Sequence, residues 1–245
     1  MFKGKYHLLH QTWQAPVTLM RETFRLFYPR VCRGCDGAQL DAEDWICLAC
    51  IMHLPRTGFG VRREQAAYRT FEGRISLLQA GSYLYFREGG ITRQILHAIK
   101  YRNQSQLAVK LGYFYAGDLA DAVQVPDVLI PVPMHPHKQR IRGYNQAERI
   151  AMGMSQAWRT RLETGWLHKT RSTASQTRAS RANRWLNTGD RFVANLPTGA
   201  AELHIAVVDD VLTTGATLEA CLQTLAKSGC KTLSIFTLAI TETGK

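Results

Sequence analysis

The chain has 245 residues, of which 45% are hydrophobic and 20% charged, as in a globular protein with one full core and a small appendage. No apolar run has the length of a membrane span, and residues 1–10 lack the features of a secretory signal, so we expect a cytoplasmic protein with reduced thiols. The net charge of +12 favours a polyanionic ligand over a purely apolar one.

The N-terminal part carries an amphipathic pattern and four cysteines. Apolar residues at helical spacing over residues 12–28 predict a helix that docks on a core. Two Cys-x-x-Cys pairs follow, and their spacing fits one tetrahedral zinc ion held by Cys32, Cys35, Cys47 and Cys50. Disulfide and redox interpretations are weaker in the cytosol. Because four thiolates leave no open position, we expect a structural ion; His53 is a possible substitute ligand, but a surface histidine is the better interpretation.

The middle of the chain separates two expected domains. Residues 56–76 are polar and basic, and we interpret them as a loop or linker. This places an N-terminal helix and zinc module at residues 1–56 and the main domain at residues 57–245. Residues 80–86 predict a strand, and the apolar spacing over residues 91–119 predicts two helices.

A basic corner follows a short apolar strand at residues 128–133. A basic loop over residues 134–144 leads to Asn145, which opens a helix. In a doubly wound sheet such loops gather at the carboxyl ends of the strands. We therefore expect pyrophosphate or DNA phosphates to bind here, through Lys138, Arg140, Arg142 and Asn145.

A second basic segment spans residues 169–178. Its small polar residues predict a mobile loop, which would cover a diphosphate with Lys169, Arg171 and Gln176. An exposed linker is the alternative. Residues 131–191 as a whole hold twelve lysines and arginines against three acids, which indicates a polyanion, although a solvated basic surface would show the same excess.

The last motif is a strand, a loop and a helix over residues 205–227. Two acids, Asp209 and Asp210, sit where the apolar strand stops, and they suit ribose hydroxyls rather than a phosphate. A helix N-terminus that follows a glycine-containing loop suits the phosphate itself. The pattern predicts a ribose 5-phosphate site formed by Asp209, Asp210, Thr213, Thr214, Gly215, Ala216 and Thr217.

These residues closely resemble the motif by which type I phosphoribosyltransferases bind phosphoribosyl pyrophosphate (PRPP). The order of motifs along the chain resembles the ComF family, including its GntX-like members. The matching pieces are the two cysteine pairs, residues 95–102, residues 131–147, residues 169–176 and residues 209–217. The resemblance implies a mostly parallel α/β sheet with helices on both faces, a phosphoribosyltransferase-like domain, zinc knuckles, and a role in natural transformation or the use of external DNA.

Three hypotheses remain open. In the first, a ComF-type protein acts on internalised single-stranded DNA through its basic surface, beside a PRPP site. Nearby aromatic residues could stack on bases, although most fit a core: Tyr144, Trp158, Trp166 and Trp185. In the second, an active phosphoribosyltransferase uses PRPP with Mg²⁺, and Asp209 and Asp210 are catalytic because they orient the ribose and stabilise positive charge. In the third, a ligand-free adaptor binds a helicase or a recombination-mediator protein.

Overall fold

The chain divides into two compact units, residues 1–53 and residues 54–245. A computed structural model describes residues 31–37, 40, 44–58, 66–102, 104–170 and 192–241. The predicted amphipathic helix at residues 12–28 lies outside the described residues. Within the first unit, the described part is a turn at residues 32–36 and a short helix, α1 (Leu48–Met52).

The second unit is built on a five-stranded sheet in which every pairing is parallel, with the strand order β1-β7-β6-β2-β3. A separate antiparallel pair joins β4 and β5. The strands are β1 (Gln79–Phe86), β2 (Val128–Pro131), β3 (Arg161–Leu162), β4 (Leu167–Lys169), β5 (Phe192–Ala194), β6 (His204–Leu212) and β7 (Thr232–Thr241). The three central strands are almost entirely buried, as expected for a parallel sheet covered on both faces.

Helices cover both faces of this sheet. They are α2 (Ala66–Arg69), α3 (Ile91–Tyr101), α4 (Ser105–Leu119), α5 (Pro136–Arg142), α6 (Gln146–Trp158) and α7 (Ala216–Lys227). On one face, the rings of Tyr115 in α4 and Trp158 in α6 pack edge-on against Phe236 of β7, with centroids 6.2 and 5.2 Å away. On the other face, α7 shares a buried cluster with alternate residues of β6, including Ile205 and Val207. The predicted α/β fold is confirmed.

Two glycines bring α4 and α6 into backbone contact. A Cβ atom at Gly112 would lie 2.1 Å from the carbonyl oxygen of Ile150, and one at Gly153 would lie 2.0 Å from the carbonyl oxygen of Val109. Any larger residue must push the helices apart, because real Cβ atoms do not approach backbone oxygens this closely. This contact fixes α6, whose N-terminus reaches the site described below.

The structure corrects the interpretation of residues 56–76 as a loop or linker. Residues 66–75 form α2 and a following turn that packs on the core, with Ala67 and Phe71 buried. The four-residue spacing of Ala67, Phe71 and Ile75 is the helical signal that the polar composition concealed.

Two boundaries also differ from the sequence-based expectation. The basic loop at residues 134–144 contains α5, which forms because Pro136 starts it and the Nδ1 atom of His135 accepts a hydrogen bond from the His137 N–H. Strand β6 does not stop at the two acids but continues to Leu212, since β7 pairs with it as far as Ile240. Within the described part of the chain, no helix is long and apolar enough to cross a membrane.

Candidate functional site

An open cleft of about 180 Å³ lies where β2 and β6 end. Its lining is mainly polar, with four lysines or arginines, two carboxylates, and the N-terminal residues of α6. The lining residues are Lys100, Val132, Pro133, Met134, His135, Lys138, Arg142, Asn145, Gln146, Ala147, Lys169, Asp209, Asp210 and Thr217.

The β6–α7 corner, residues 209–217, contributes Asp209, Asp210 and Thr217 to one wall of the cleft. Gly215 is the residue that precedes α7, and its φ of +79° lies in the left-handed region that glycine tolerates. A Cβ atom there would lie 2.9 Å from the Thr70 side chain and 3.0 Å from the Phe71 ring. Gly215 has no side chain to cap α7, and the Ala216 N–H makes only a long hydrogen bond of 3.5 Å to Thr214 Oγ1. The first turn of α7 is therefore only weakly capped by the protein.

The two acids of this corner differ in their electrostatics. Burial, followed by the charge of Asp210, raises the pKa of Asp209 to about 8, against the opposing effects of the Asp210 N–H, Lys100 and Lys169. The Asp210 N–H donates to Asp209 Oδ1 over 2.8 Å. Asp210 is ionically paired, with its Oδ2 atom 2.8 Å from Lys100 Nζ. One acid is therefore mostly protonated near neutral pH, while the other is balanced by a lysine.

The β2–α6 corner, residues 131–147, forms the opposite wall. Asn145 caps α6 by accepting from the Ala147 N–H over 3.1 Å, and its Nδ2 atom donates to the Val132 carbonyl oxygen over 3.0 Å. Both ends of this buried amide are thus used within the protein. Arg142 donates to Gln146 Oε1 over 3.1 Å, and Lys138 is exposed on α5.

Lys169 reaches the cleft from the end of β4. Its Nζ atom lies 5.7 Å from the ring centroid of Phe192, the residue paired with it across the β4–β5 ladder. The end of β4 and the start of β5 therefore lie beside the cleft. The predicted ligands Arg171 and Gln176 lie outside the described residues.

Half of the residues predicted to bind ribose or phosphate groups line the cleft together. They are Lys138, Arg142, Asn145, Lys169, Asp209, Asp210 and Thr217. The remaining described ones are not in the lining: Arg140, Thr213, Thr214, Gly215 and Ala216. Thr213, Thr214 and Ala216 are nevertheless exposed at the turn that leads into α7.

Sequence reasoning missed Lys100, Gln146 and His135. Lys100 lies in the last turn of α3, which the resemblance singled out without giving any residue a role. Its position thirty residues before the basic corner gave no reason to pair it with Asp210. Gln146 directly follows the predicted helix opening at Asn145, and its Nε2 atom has no hydrogen-bond partner although it is buried.

The four paired cysteines of the first unit converge. Their Sγ atoms all lie within 4.8 Å of one another, so this cluster could hold one metal ion. Cys32 Sγ accepts from the backbone N–H groups of Gly34 and Cys47, at 3.3 and 3.2 Å. Burial raises the pKa of the Cys32 thiol, but these N–H groups outweigh it and hold the pKa at about 7. The His53 ring lies against the Ala49 carbonyl oxygen instead, at 2.7 Å.

No model of a known protein family matches the chain. The chain is 29% identical over 152 residues to the DNA utilization protein YhgH of Escherichia coli O6:H1, a match that covers 60% of this chain and 66% of YhgH. It is 24% identical over 232 residues to the competence protein ComFC of Bacillus subtilis, across 93% of this chain and 88% of ComFC. The chain is a homologue of YhgH and ComFC. The expected resemblance to the ComF family is confirmed.

The match to YhgH spans slightly less than two thirds of that protein's length. Among solved structures, a glutamine PRPP amidotransferase from B. subtilis, in complex with ADP and GMP, is similar to this chain. The similarity has a TM-score of 0.42 and 17% identity, over 58% of this chain and 30% of that chain.

Proposed function

We propose that the cleft binds PRPP, or ribose 5-phosphate, in a cytoplasmic protein that takes part in the use of external DNA. The observation that carries the proposal is the meeting of two acids, Thr217 in the first turn of α7 and four cationic side chains in one cleft. Acids suit ribose hydroxyls, whereas the helix terminus and the cations suit phosphates. A ligand that carries both groups accounts for all three features.

Each part of PRPP has a matching wall. The 5-phosphate would lie at the first turn of α7, near the Thr217 hydroxyl, where the helix dipole is positive. The ribose hydroxyls would bind the acids at the end of β6. The diphosphate would face Lys138, Arg142 and Lys169 across the cleft. Mg²⁺ would accompany the diphosphate and neutralise part of its charge. In this arrangement the Lys100–Asp210 ion pair keeps the ribose wall from repelling the phosphates.

The role in DNA use rests on the relatives and on the surface charge. The relatives' names refer to DNA utilization and competence. Helix α5 has no buried residue and exposes Lys138 and Arg140 beside the cleft. We propose that single-stranded DNA binds this side, without strong sequence preference, because its contacts are to phosphates.

We further propose that Cys32, Cys35, Cys47 and Cys50 hold one structural Zn²⁺. Four thiolates close enough to share one ion, two of them with N–H donors on sulfur, fit a tetrahedral zinc centre. When bound, the ion would supply folding free energy to the first unit rather than catalysis, since no coordination position stays open. Elemental analysis should find one zinc per chain, and folded but metal-free protein would contradict this assignment.

Ligand-induced thermal stabilisation tests the PRPP site. Mg²⁺ and PRPP should raise the melting temperature, because a ligand that binds only the folded state stabilises it. The double variant Asp209→Asn/Asp210→Asn keeps the size of both side chains. Loss of even one charged hydrogen bond from Asp210 to ribose, worth roughly 1.5–3 kcal/mol, should weaken binding at least tenfold.

Glu202→Gln is the matched control for this experiment. Glu202 is an exposed acid paired with Lys231. The two residues lie just before β6 and β7, at the opposite end of these strands from the cleft, so the loss of this acid should leave the PRPP-induced shift unchanged. If PRPP does not stabilise the wild-type protein at all, the PRPP proposal is wrong and the adaptor hypothesis gains support.

A further inference from the structure

Tyr101 places an exposed aromatic ring beside the cleft. It is the last residue of α3, directly after Lys100, and 64% of its surface is exposed. The His97 ring lies 4.9 Å from it between centroids, and the guanidinium carbon of Arg142 lies 5.5 Å from its centroid. Since Arg142 and Lys100 both line the cleft, this ring lies at the margin of the proposed phosphate-binding site.

Three of the four aromatic residues that the sequence suggested for base stacking are engaged elsewhere, and the fourth, Trp185, lies outside the described residues. Tyr144 is only 5% exposed, and its hydroxyl donates to the Ile99 carbonyl oxygen. The Trp158 indole N–H donates to the Ala116 carbonyl oxygen over 2.9 Å, while its ring packs on Phe236. Trp166 is 7% exposed. These rings belong to the core, whereas most of the Tyr101 side chain faces solvent.

We infer that Tyr101, with His97 and Arg142, forms a stacking surface for a nucleobase of single-stranded DNA. The inference rests on the proposed DNA-binding function and adds a base contact to it. A base on the Tyr101 ring would place its neighbouring phosphates within the positive field of α5 and the cleft margin. Stacking of this kind is tolerant of sequence, because every base has a π-face. Arg142 strengthens the surface, since a guanidinium stacks on rings while it also attracts phosphate.

A free nucleobase offers the same planar face as a base in DNA, so the test must separate the two. Binding is measured by fluorescence anisotropy, with a labelled fifteen-nucleotide oligothymidylate and a labelled abasic oligomer of the same length. The variants are Tyr101→Ala, which removes the ring, and Tyr101→Phe, which keeps it. Tyr113→Ala is the matched control, because Tyr113 is also an exposed tyrosine (49%) but lies on α4, none of whose residues lines the cleft.

Tyr101→Ala should weaken binding of oligothymidylate roughly 5- to 100-fold, the range for loss of one base-stacking contact. Tyr101→Phe and Tyr113→Ala should stay within about twofold of wild type. The abasic oligomer should bind all four proteins alike, because it offers no base to stack. The far-UV circular dichroism spectrum and the melting temperature of Tyr101→Ala without ligand should match those of wild type, which shows that this variant is folded.

Two results would overturn the inference in distinguishable ways. If wild-type protein binds oligothymidylate and Tyr101→Ala binds it equally well, the stacking surface is wrong and the DNA-binding function stands. If wild-type protein binds neither oligomer, both are wrong. Free adenine that binds with PRPP, together with equal affinity for both oligomers, would also overturn it and identify the ring as part of a subsite for a free base.

Discussion

The two corners that form the cleft differ in how the N-terminus of the following helix is capped. At the β2–α6 corner, Asn145 caps α6 and binds the preceding strand, so the protein itself satisfies this helix terminus. At the β6–α7 corner, Gly215 precedes α7 and cannot cap it, and the Ala216 N–H makes only a long hydrogen bond of 3.5 Å to Thr214 Oγ1. We call the β2–α6 corner closed and the β6–α7 corner open.

This difference suggests which corner of the cleft binds which phosphate group of the ligand. An open terminus offers backbone N–H groups to an anion, which suits the 5-phosphate. At the closed terminus the Asn145 side chain already accepts from the Ala147 N–H, so we expect ligand binding at the β2–α6 corner to come from cations such as Lys138. Substitution of the cap residue at the closed corner should therefore affect stability, and substitutions at the open corner should affect binding as well. The following experiments test that separation, from the largest effect to the smallest.

The largest effect should be the dependence of stability on pH that Asp209 imposes. Its pKa is about 8 in the folded protein against an ordinary value of 3.8, so between these pH values the folded state holds a proton that the unfolded chain has lost. The free energy of unfolding should therefore fall as pH rises through this range, by at most about 1.4 kcal/mol for each pH unit from this group.

Urea denaturation of wild type and Asp209→Asn at pH 5, 7 and 9 measures this effect. The amide cannot ionise, so the variant should gain stability relative to wild type at each step upward in pH. Glu202→Gln, at an exposed acid, should follow the wild-type curve. Parallel curves for wild type and Asp209→Asn would show that the open corner does not hold a protonated acid.

Asn145→Ala should give the next largest change. It removes the cap of α6 and leaves the Val132 carbonyl oxygen without its buried donor, which together should lower the free energy of unfolding by about 2–3 kcal/mol. Chemical denaturation measures the loss. Asn145→Asp keeps the acceptor for the Ala147 N–H, and should recover part of the stability. Equal losses in the two variants would contradict the assigned cap.

Gly215→Ala should have a smaller effect on stability but a clear effect on binding. A left-handed residue with a side chain costs about 1–2 kcal/mol, and the new Cβ atom must displace Thr70 and Phe71. Because the first turn of α7 would shift, binding of ribose 5-phosphate should weaken as well. Gly199→Ala is the matched control, since Gly199 has a similar φ of +85° and open space around it. Loss of stability without loss of binding would place the phosphate elsewhere.

The sequence predicted the sheet and its central corner well, for physical reasons. Short apolar runs at residues 128–133 and 205–208 indicate buried parallel strands, and Asn145 is a strong helix-opening residue. These signals are local, and the structure contains the corresponding strands and helix. The clustering of four cysteines was predictable for the same reason, because the spacing within each pair limits where the sulfur atoms can lie.

What the sequence could not supply was pairing between distant residues. Nothing local links Lys100 to Asp210, or Tyr101 to Arg142, because these contacts depend on how α3 packs beside the sheet. The pKa of Asp209 depends on burial, which composition does not reveal. Phe71 was hidden in a polar segment although its ring packs near Gly215. Each miss concerns a contact between elements rather than an element itself.

Isothermal titration of two ligands tests the central claim most directly. Lys138→Ala, at an exposed residue of the closed corner, should weaken binding of Mg²⁺-PRPP about tenfold or more and leave ribose 5-phosphate unchanged. Thr217→Val, at the open corner, should weaken both ligands, because both carry the 5-phosphate. Lys231→Ala removes the same charge just before β7, at the opposite end of this strand from the cleft. This variant should change the affinity for neither ligand. Equal losses of both ligands in Lys138→Ala, or no loss in Thr217→Val, would contradict the division of the cleft into a 5-phosphate corner and a diphosphate corner.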